Sequence, residues 1–173
     1  FDPGGVDGIW GPRTEAAFAG MALGEMAGPV KNVWPLQAQK DLIRFFGEPG
    51  KHQVYLSLPY SHRLAWSVDT IITRYQCHEK VHDSLLRILT RVLEAYGPDE
   101  IRHLWLDHWG GCFNVRPQRN GAAMSTHSWG IAVDYDPVNN PLKAGRDKAW
   151  FARSEYDEWW KIWEAEGWVS LGR

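Results

Sequence analysis

Cysteine is nearly missing from this chain of 173 residues: Cys77 and Cys112 are the two present, far apart and outside any C-x-x-C pair. That excludes a structural zinc cluster built on cysteine and argues against a disulfide framework. No charge of one sign dominates, because 19 Lys and Arg stand against 21 Asp and Glu, a formal net charge of −2. Such a balance attracts neither nucleic acid nor an anionic membrane, so neither is expected as a partner. No apolar run approaches the roughly 18 residues of a membrane helix. A charged-then-apolar leader is also lacking. The chain opens on Phe1 rather than Met, which raises the expectation that the natural N-terminus lies further upstream.

What is there is an ordinary globular balance, 44% hydrophobic and 23% charged, with 11 tryptophans. Tryptophan suits contacts to sugars and peptides, yet core packing is the expected use of most of these. The length allows one domain with a real core plus a fragment of another. Residues 1–26 open on Gly and Pro punctuation, followed by a short helix that Thr14 caps. Residues 27–35 read as a linker. From there the expected order is a helix ending at Gly47, a strand "HQVYLSLPY" stopped by Pro59, and a long helix from His78 to Tyr96 ended by Gly97-Pro98. A strand over "IRHLWLDHW" and another over "GIAVDYD" follow. The last helix carries an inner stripe of Tyr156, Trp159, Trp160 and Trp163 and is capped by Gly167, and "WVSL" begins a strand. The class is α+β: helices packed on a small, mainly antiparallel sheet.

Two stretches offer metal ligands. The first is His78-Glu79-Lys80-Val81-His82, a literal H-E-x-x-H match. On a helix, residues i and i+4 share a face, so two histidines could hold zinc while the glutamate activates water. Against this, the match sits in the first turn of its helix, and Lys80 puts a cation beside a proposed dication. No third ligand follows on a later helix. At about 100° per residue, His78 and His82 share an arc with Leu85, Leu89 and Tyr96. The expectation is therefore two partly buried histidines, with Glu79 as an acid favoured near a helix N-terminus.

The second stretch, "MSTHSWGIAVDYDP", holds Ser125, His127, Gly130, Ala132 and Asp134 in the pattern S-x-H-x-x-G-x-A-x-D. Residues seven apart on an unbroken strand point to opposite faces. Gly130 lets the chain bend, so that His127 in a loop and Asp134 in the strand converge. Imidazole and carboxylate are both good zinc ligands. Ala132 leaves room, and Asp134 is expected to pack within an apolar strand.

This stretch resembles the zinc motif of the family of D-alanyl-D-alanine carboxypeptidases and phage L-alanyl-D-glutamate endopeptidases. "WGGCFNVRPQRNGAAMSTHSWGIAVDYDPVNNPL" and "EYDEWWKIWEAEGWVSLGR" are similar to endolysin members, and the resemblance runs from about Trp34 to Arg173. It implies Zn²⁺ held by His127 and Asp134, Ser125 as a substrate contact, and an arginine that stabilises the oxyanion. Arg116 matches that arginine best, with Arg119 as the substitute. It further implies a truncated catalytic domain over 36–173, because the family's acid-x-x-His element, which supplies the general base and third ligand, is not matched. No histidine follows His127, and of the earlier ones His108 is a nearer candidate than His103. "VDGIWGPRTEAAF" resembles the closing part of a peptidoglycan-binding domain, so residues 1–26 are expected to be its remnant. The implied partner is peptidoglycan, the expected state a monomer, and the expected route is synthesis in the cytoplasm with action on the wall after release. The rival readings are a non-catalytic wall-binding module and a zincin-like protease using His78, Glu79 and His82.

Overall fold

The computed structural model describes residues 32–119, 121–141 and 144–170. The expected wall-binding remnant (1–26) lies outside them, as does part of the linker (27–35). The first helix, α1 (Gln39–Phe46), buries Leu42 and Phe46, four apart on one face. It ends where expected: Gly47, at φ +82°, returns its N–H to the Ile43 carbonyl at 2.8 Å.

Next comes a long antiparallel hairpin, β1 (Gln53–Leu64) with β2 (Ser67–His78), in register from Gln53 opposite His78 to Ser57 opposite Arg74. The expectation that Pro59 stops the strand is overturned, since β1 runs on to Leu64. The register jumps between Ser57 and His62, so Pro59 falls in an irregular stretch where the ladder does not call on its missing N–H.

Helix α2 (Glu79–His103) buries Val81, Leu85, Ile88, Leu89 and Val92, the stripe that the periodicity predicts. Gly97 breaks the helical geometry at φ 69°, ψ 166°, as expected, but helix resumes after it. Pro98 explains the restart, because a proline at the first helical position gives up an N–H that has no helical partner. The strand predicted over 101–109 is therefore wrong in its first part: Ile101 is a buried helical residue, and β3 is confined to His108–Gly111. The strand predicted over 130–136 shrinks to β4 (Asp134–Tyr135): Gly130, left-handed, belongs to the end of the preceding 3-10 turn, and residues 131–133 form no strand.

The sheet order is β2-β1-β3-β4, with β1–β2 and β3–β4 antiparallel and a short parallel contact of β1 with β3. The α+β class, helices on a small, mostly antiparallel sheet, is as the sequence predicts.

Helix α3 (Asp157–Ala165) packs Trp159, Ile162 and Trp163 inward, with Tyr156 buried just before it. Ile162 takes the inner place predicted for Trp160, which is half-buried and donates its indole N–H to the Phe151 carbonyl. Gly167 has φ +81° after this helix, and Trp168–Ser170 form no strand, contrary to expectation. The sequence reading missed Glu166. Its fully buried carboxylate meets Arg87 at 2.7 Å and Arg91 at 3.3 Å and accepts from Asn32 at 2.9 Å. Burial alone would raise its pKa; the hydrogen bonds and charges of the arginines outweigh that and hold it below the ordinary value. The hub ties the start of the described chain to α2 and to the end of α3.

Candidate metal centre

His127 sits in a single 3-10 turn, Thr126–Trp129, closed at both ends by side chain and backbone. Ser125, in extended conformation, caps the start: its hydroxyl oxygen accepts the His127 N–H at 3.4 Å. Gly130 closes the end at φ +67°, returning its N–H to the carbonyls of His127 and Thr126. A side chain at Gly130 would collide, since a Cβ there would stand 2.4 Å from Gln53 Oε1 and 3.0 Å from the His78 nitrogen. Trp129 anchors the turn in the core through its indole N–H on the Gly47 carbonyl, at 2.7 Å.

The ring of His127 is oriented by one bond. Nδ1 lies 2.8 Å from the Cys112 carbonyl. A carbonyl only accepts, so Nδ1 carries the hydrogen, and in the neutral ring Nε2 keeps its lone pair. Nε2 lies 3.4 Å from Asp134 Oδ2. The bend at Gly130 thus brings together the two residues that the sequence reading paired. Asp134 stands opposite Gly111 at the start of β4. Gly110 makes room for it: a Cβ there would lie 3.0 Å from that of Asp134. The expectation that Asp134 packs inside an apolar strand is corrected, since its side chain is 54% exposed while that of His127 is 12% exposed. The β4 strand is too short to bury it.

Imidazole nitrogen and carboxylate oxygen sit about 2.0–2.2 Å from a tetrahedral zinc, which puts two such ligand atoms about 3.3 Å apart. The observed separation matches. The lone pair of Nε2 is free and Asp134 is open to solvent, so the donor set fits zinc in spacing and chemistry. The same spacing suits a charged imidazole against a carboxylate. Among the described residues no third His, Cys, Asp or Glu joins them. His108, the candidate from the sequence, is buried with its ring 4.1 Å from that of Trp105, and its Nε2 has no hydrogen-bond partner.

Arg116 is half-buried and donates from Nη1 to the Pro117 carbonyl at 3.2 Å. It makes no ion pair among the described residues, so its charge is uncompensated there. Arg119 is exposed. Two backbone ties join Arg116 to the histidine turn: its carbonyl accepts the Ser125 N–H at 3.0 Å, and its own N–H donates to Ser128 Oγ at 3.0 Å. Ser128 and the Cys112 carbonyl escaped the sequence reading. No sequence signal reveals a carbonyl that sets a ring tautomer.

The H-E-x-x-H match dissolves as a site. His78 is not helical; at φ −67°, ψ 140° it caps α2, accepting the Lys80 N–H on Nδ1 at 3.1 Å. Its Nε2 donates to the Phe46 carbonyl at 2.8 Å, so both nitrogens are occupied and the ring is buried. Burial lowers its pKa, the largest of the influences on it. His82 is half-buried and pairs with Asp83 at 2.8 Å, while exposed Glu79 faces His52 at 3.3 Å. The three do not converge. The His78 backbone does serve the other stretch, because its N–H donates to the Gly130 carbonyl at 3.1 Å.

Cys77 and Cys112 are both buried and free. Burial pushes the Cys77 thiol up to about 12 and that of Cys112 well above its ordinary range, so neither is a nucleophile or a ready thiolate ligand.

Comparison with known proteins finds a match over one part of the chain. No curated protein and no solved structure matches. A family model described as D-alanyl-D-alanine carboxypeptidase matches residues 118–171, less than half of the chain. That span contains Ser125, His127 and Asp134, and over it the chain is similar to this peptidase family.

Proposed function

We propose that the protein is a zinc-dependent peptidase that hydrolyses peptide bonds in the stem peptides of peptidoglycan. The observation that carries this reading is the pairing of His127 Nε2 with Asp134 Oδ2 at 3.4 Å, the ring held by the Cys112 carbonyl, within the span similar to carboxypeptidases. In this reading His127 and Asp134 hold Zn²⁺, which when bound polarises the scissile carbonyl and acidifies water. Arg116 adds fixed positive charge where the carbonyl oxygen gains negative charge. Ser125 sets His127 through its hydroxyl oxygen, and the hydroxyl proton remains to be donated to substrate. The third ligand and the general base belong to the acid-x-x-His element that the resemblance implies. Two protein ligands alone hold zinc weakly, so residues 1–173 by themselves are expected to cut slowly or not at all. A role in wall lysis by a phage or prophage, with residues 1–26 as the remnant of a wall-binding module, completes the proposal.

The second reading is a module that binds peptidoglycan without cutting it. What favours it is that two candidate ligands, not three, stand together among the described residues. Incubation of the full natural protein with purified peptidoglycan, with zinc or with a chelator, separates the readings. New free amino groups that appear with zinc and vanish with chelator support the peptidase. Co-sedimentation with the wall and no amine release under either condition supports the binding module.

A further inference from the structure

Ser128 is completely buried, and its hydroxyl is spent on the backbone of one neighbouring segment. It accepts the Arg116 N–H at 3.0 Å and donates to the Arg116 carbonyl at 2.9 Å, with the Asn114 carbonyl at 3.4 Å. Further bonds join the same two pieces of chain, among them a weak one from Cys112 Sγ to the Gly130 carbonyl at 3.6 Å. The Asn114 N–H donates to the His127 carbonyl and the Ser125 N–H to the Arg116 carbonyl, each at 3.0 Å, and His127 Nδ1 donates to the Cys112 carbonyl at 2.8 Å. Residues 112–116 lie outside any strand, between the end of β3 at Gly111 and the isolated bridge of Pro117 with Met124, so within the segment itself these bonds are what hold it to the turn. Without the hydroxyl, the Arg116 N–H has no other partner among the described residues, and the far end of the segment keeps only the Arg116 carbonyl on Ser125 and the bridge of Pro117 with Met124.

We propose that Ser128 is a positioning residue for the candidate metal centre: it holds residues 112–116 against the histidine turn, so that the Cys112 carbonyl keeps His127 in the Nδ1–H tautomer with Nε2 free. Its value for catalysis rests on the reading of His127 as a zinc ligand, but the positioning itself does not. A partner that fixes a ligand's tautomer commonly changes metal affinity by about 10–100-fold when lost.

The test is nitrogen-15 NMR of the histidine rings in the full chain, together with zinc titration, for wild type, Ser128→Ala, Ser128→Cys and Ser84→Ala. Ser84 is another buried serine hydroxyl, bonded to Trp168 and Asn32, and controls for general loosening. Expected are a single Nδ1–H tautomer for His127 in wild type and in Ser84→Ala, and a mixture in Ser128→Ala. Zinc affinity is expected to fall about tenfold in Ser128→Ala, with Ser128→Cys, which keeps a weak donor, in between. An unchanged tautomer in Ser128→Ala overturns the proposal, as does an equal change in Ser84→Ala. If Ser128→Ala does not fold, Ser128→Cys decides in the same way. A tautomer that depends on Ser128 in a protein that binds no zinc upholds the positioning and sinks the metal reading.

Discussion

A single ring shows how little separates a ligand from a support. His78 and His127 are both mostly buried, and both place one nitrogen against a backbone carbonyl. At His78 the second nitrogen accepts an amide, and the ring is used up. At His127 the second nitrogen faces a carboxylate half open to water. Of the two rings, His127 is the one with a nitrogen left for a ligand, although His78 lies in the tidier sequence pattern. The same argument applies to Arg116, whose guanidinium has no carboxylate partner among the described residues, which is why it is proposed to face the substrate. Arg116→Ala is expected to leave zinc content unchanged and to lower kcat about 10²–10³-fold, the usual cost of losing an oxyanion donor. Steady-state kinetics on purified stem peptide beside metal analysis checks this; lost zinc would make Arg116 part of the scaffold instead.

At the level of elements, the turn 125–130 depends on one conformation and one close approach, both at Gly130. A Cβ there meets Gln53 Oε1 and the amide of His78 at the end of β2, and φ is +67°. Gly130→Ala is expected to destabilise the fold by more than about 2 kcal/mol, from left-handed strain and displacement of the hairpin combined. Urea unfolding measures it, and a loss below about 0.5 kcal/mol would mean that the turn is not clamped against β2.

The elements also show what a sequence can and cannot say. Helix α1 and the first part of α2 were legible because an apolar stripe and a glycine stop agree with each other. The pairing of His127 with Asp134 was legible because Gly130 stood between them. The continuation of β1 past Pro59 was not, because it depends on a bulge in β1 itself, between Ser57 opposite Arg74 and His62 opposite Ile72. Nor was the helical restart after Gly97, since Ile101 and Leu104 fit a helical turn as well as a strand. The exposure of Asp134 depends on where β4 ends, and Glu166 reads as one more solvated acid until Arg87 and Arg91 are seen around it.

Over the whole molecule, buried ionisable groups make stability depend on pH. His62 is enclosed between the Tyr60 carbonyl, at 3.1 Å, and the Tyr135 hydroxyl, at 2.8 Å. Burial, first among the influences on it, lowers its pKa from 6.5 to about 4. The unfolded chain therefore binds a proton there before the folded one does. The associated stability is full above about pH 6.5 and is lost as pH falls towards about 4, by up to about 3 kcal/mol. Glu166 acts in the same sense at lower pH: its folded pKa lies below the ordinary value, so its contribution is full above that value and disappears as pH falls through the folded one. Stability is thus expected to decline in two stages on acidification. Thermal melts from pH 8 to pH 3 test this, with His62→Gln expected to shrink the first stage and the buried His78 and His108, whose pKa values burial also lowers, to account for what is left of it. A first stage of the same size in wild type and His62→Gln would mean that His62 is not held neutral in the core.

The central claim is that the metal belongs to "STHSWGIAVD" and not to "HEKVH". The zinc content of the full natural protein, measured after exhaustive dialysis for wild type, His127→Ala and His78→Ala, tests it most directly. The account predicts about one zinc per chain in wild type and in His78→Ala, and none in His127→Ala. Zinc lost from His78→Ala and retained by His127→Ala would contradict it.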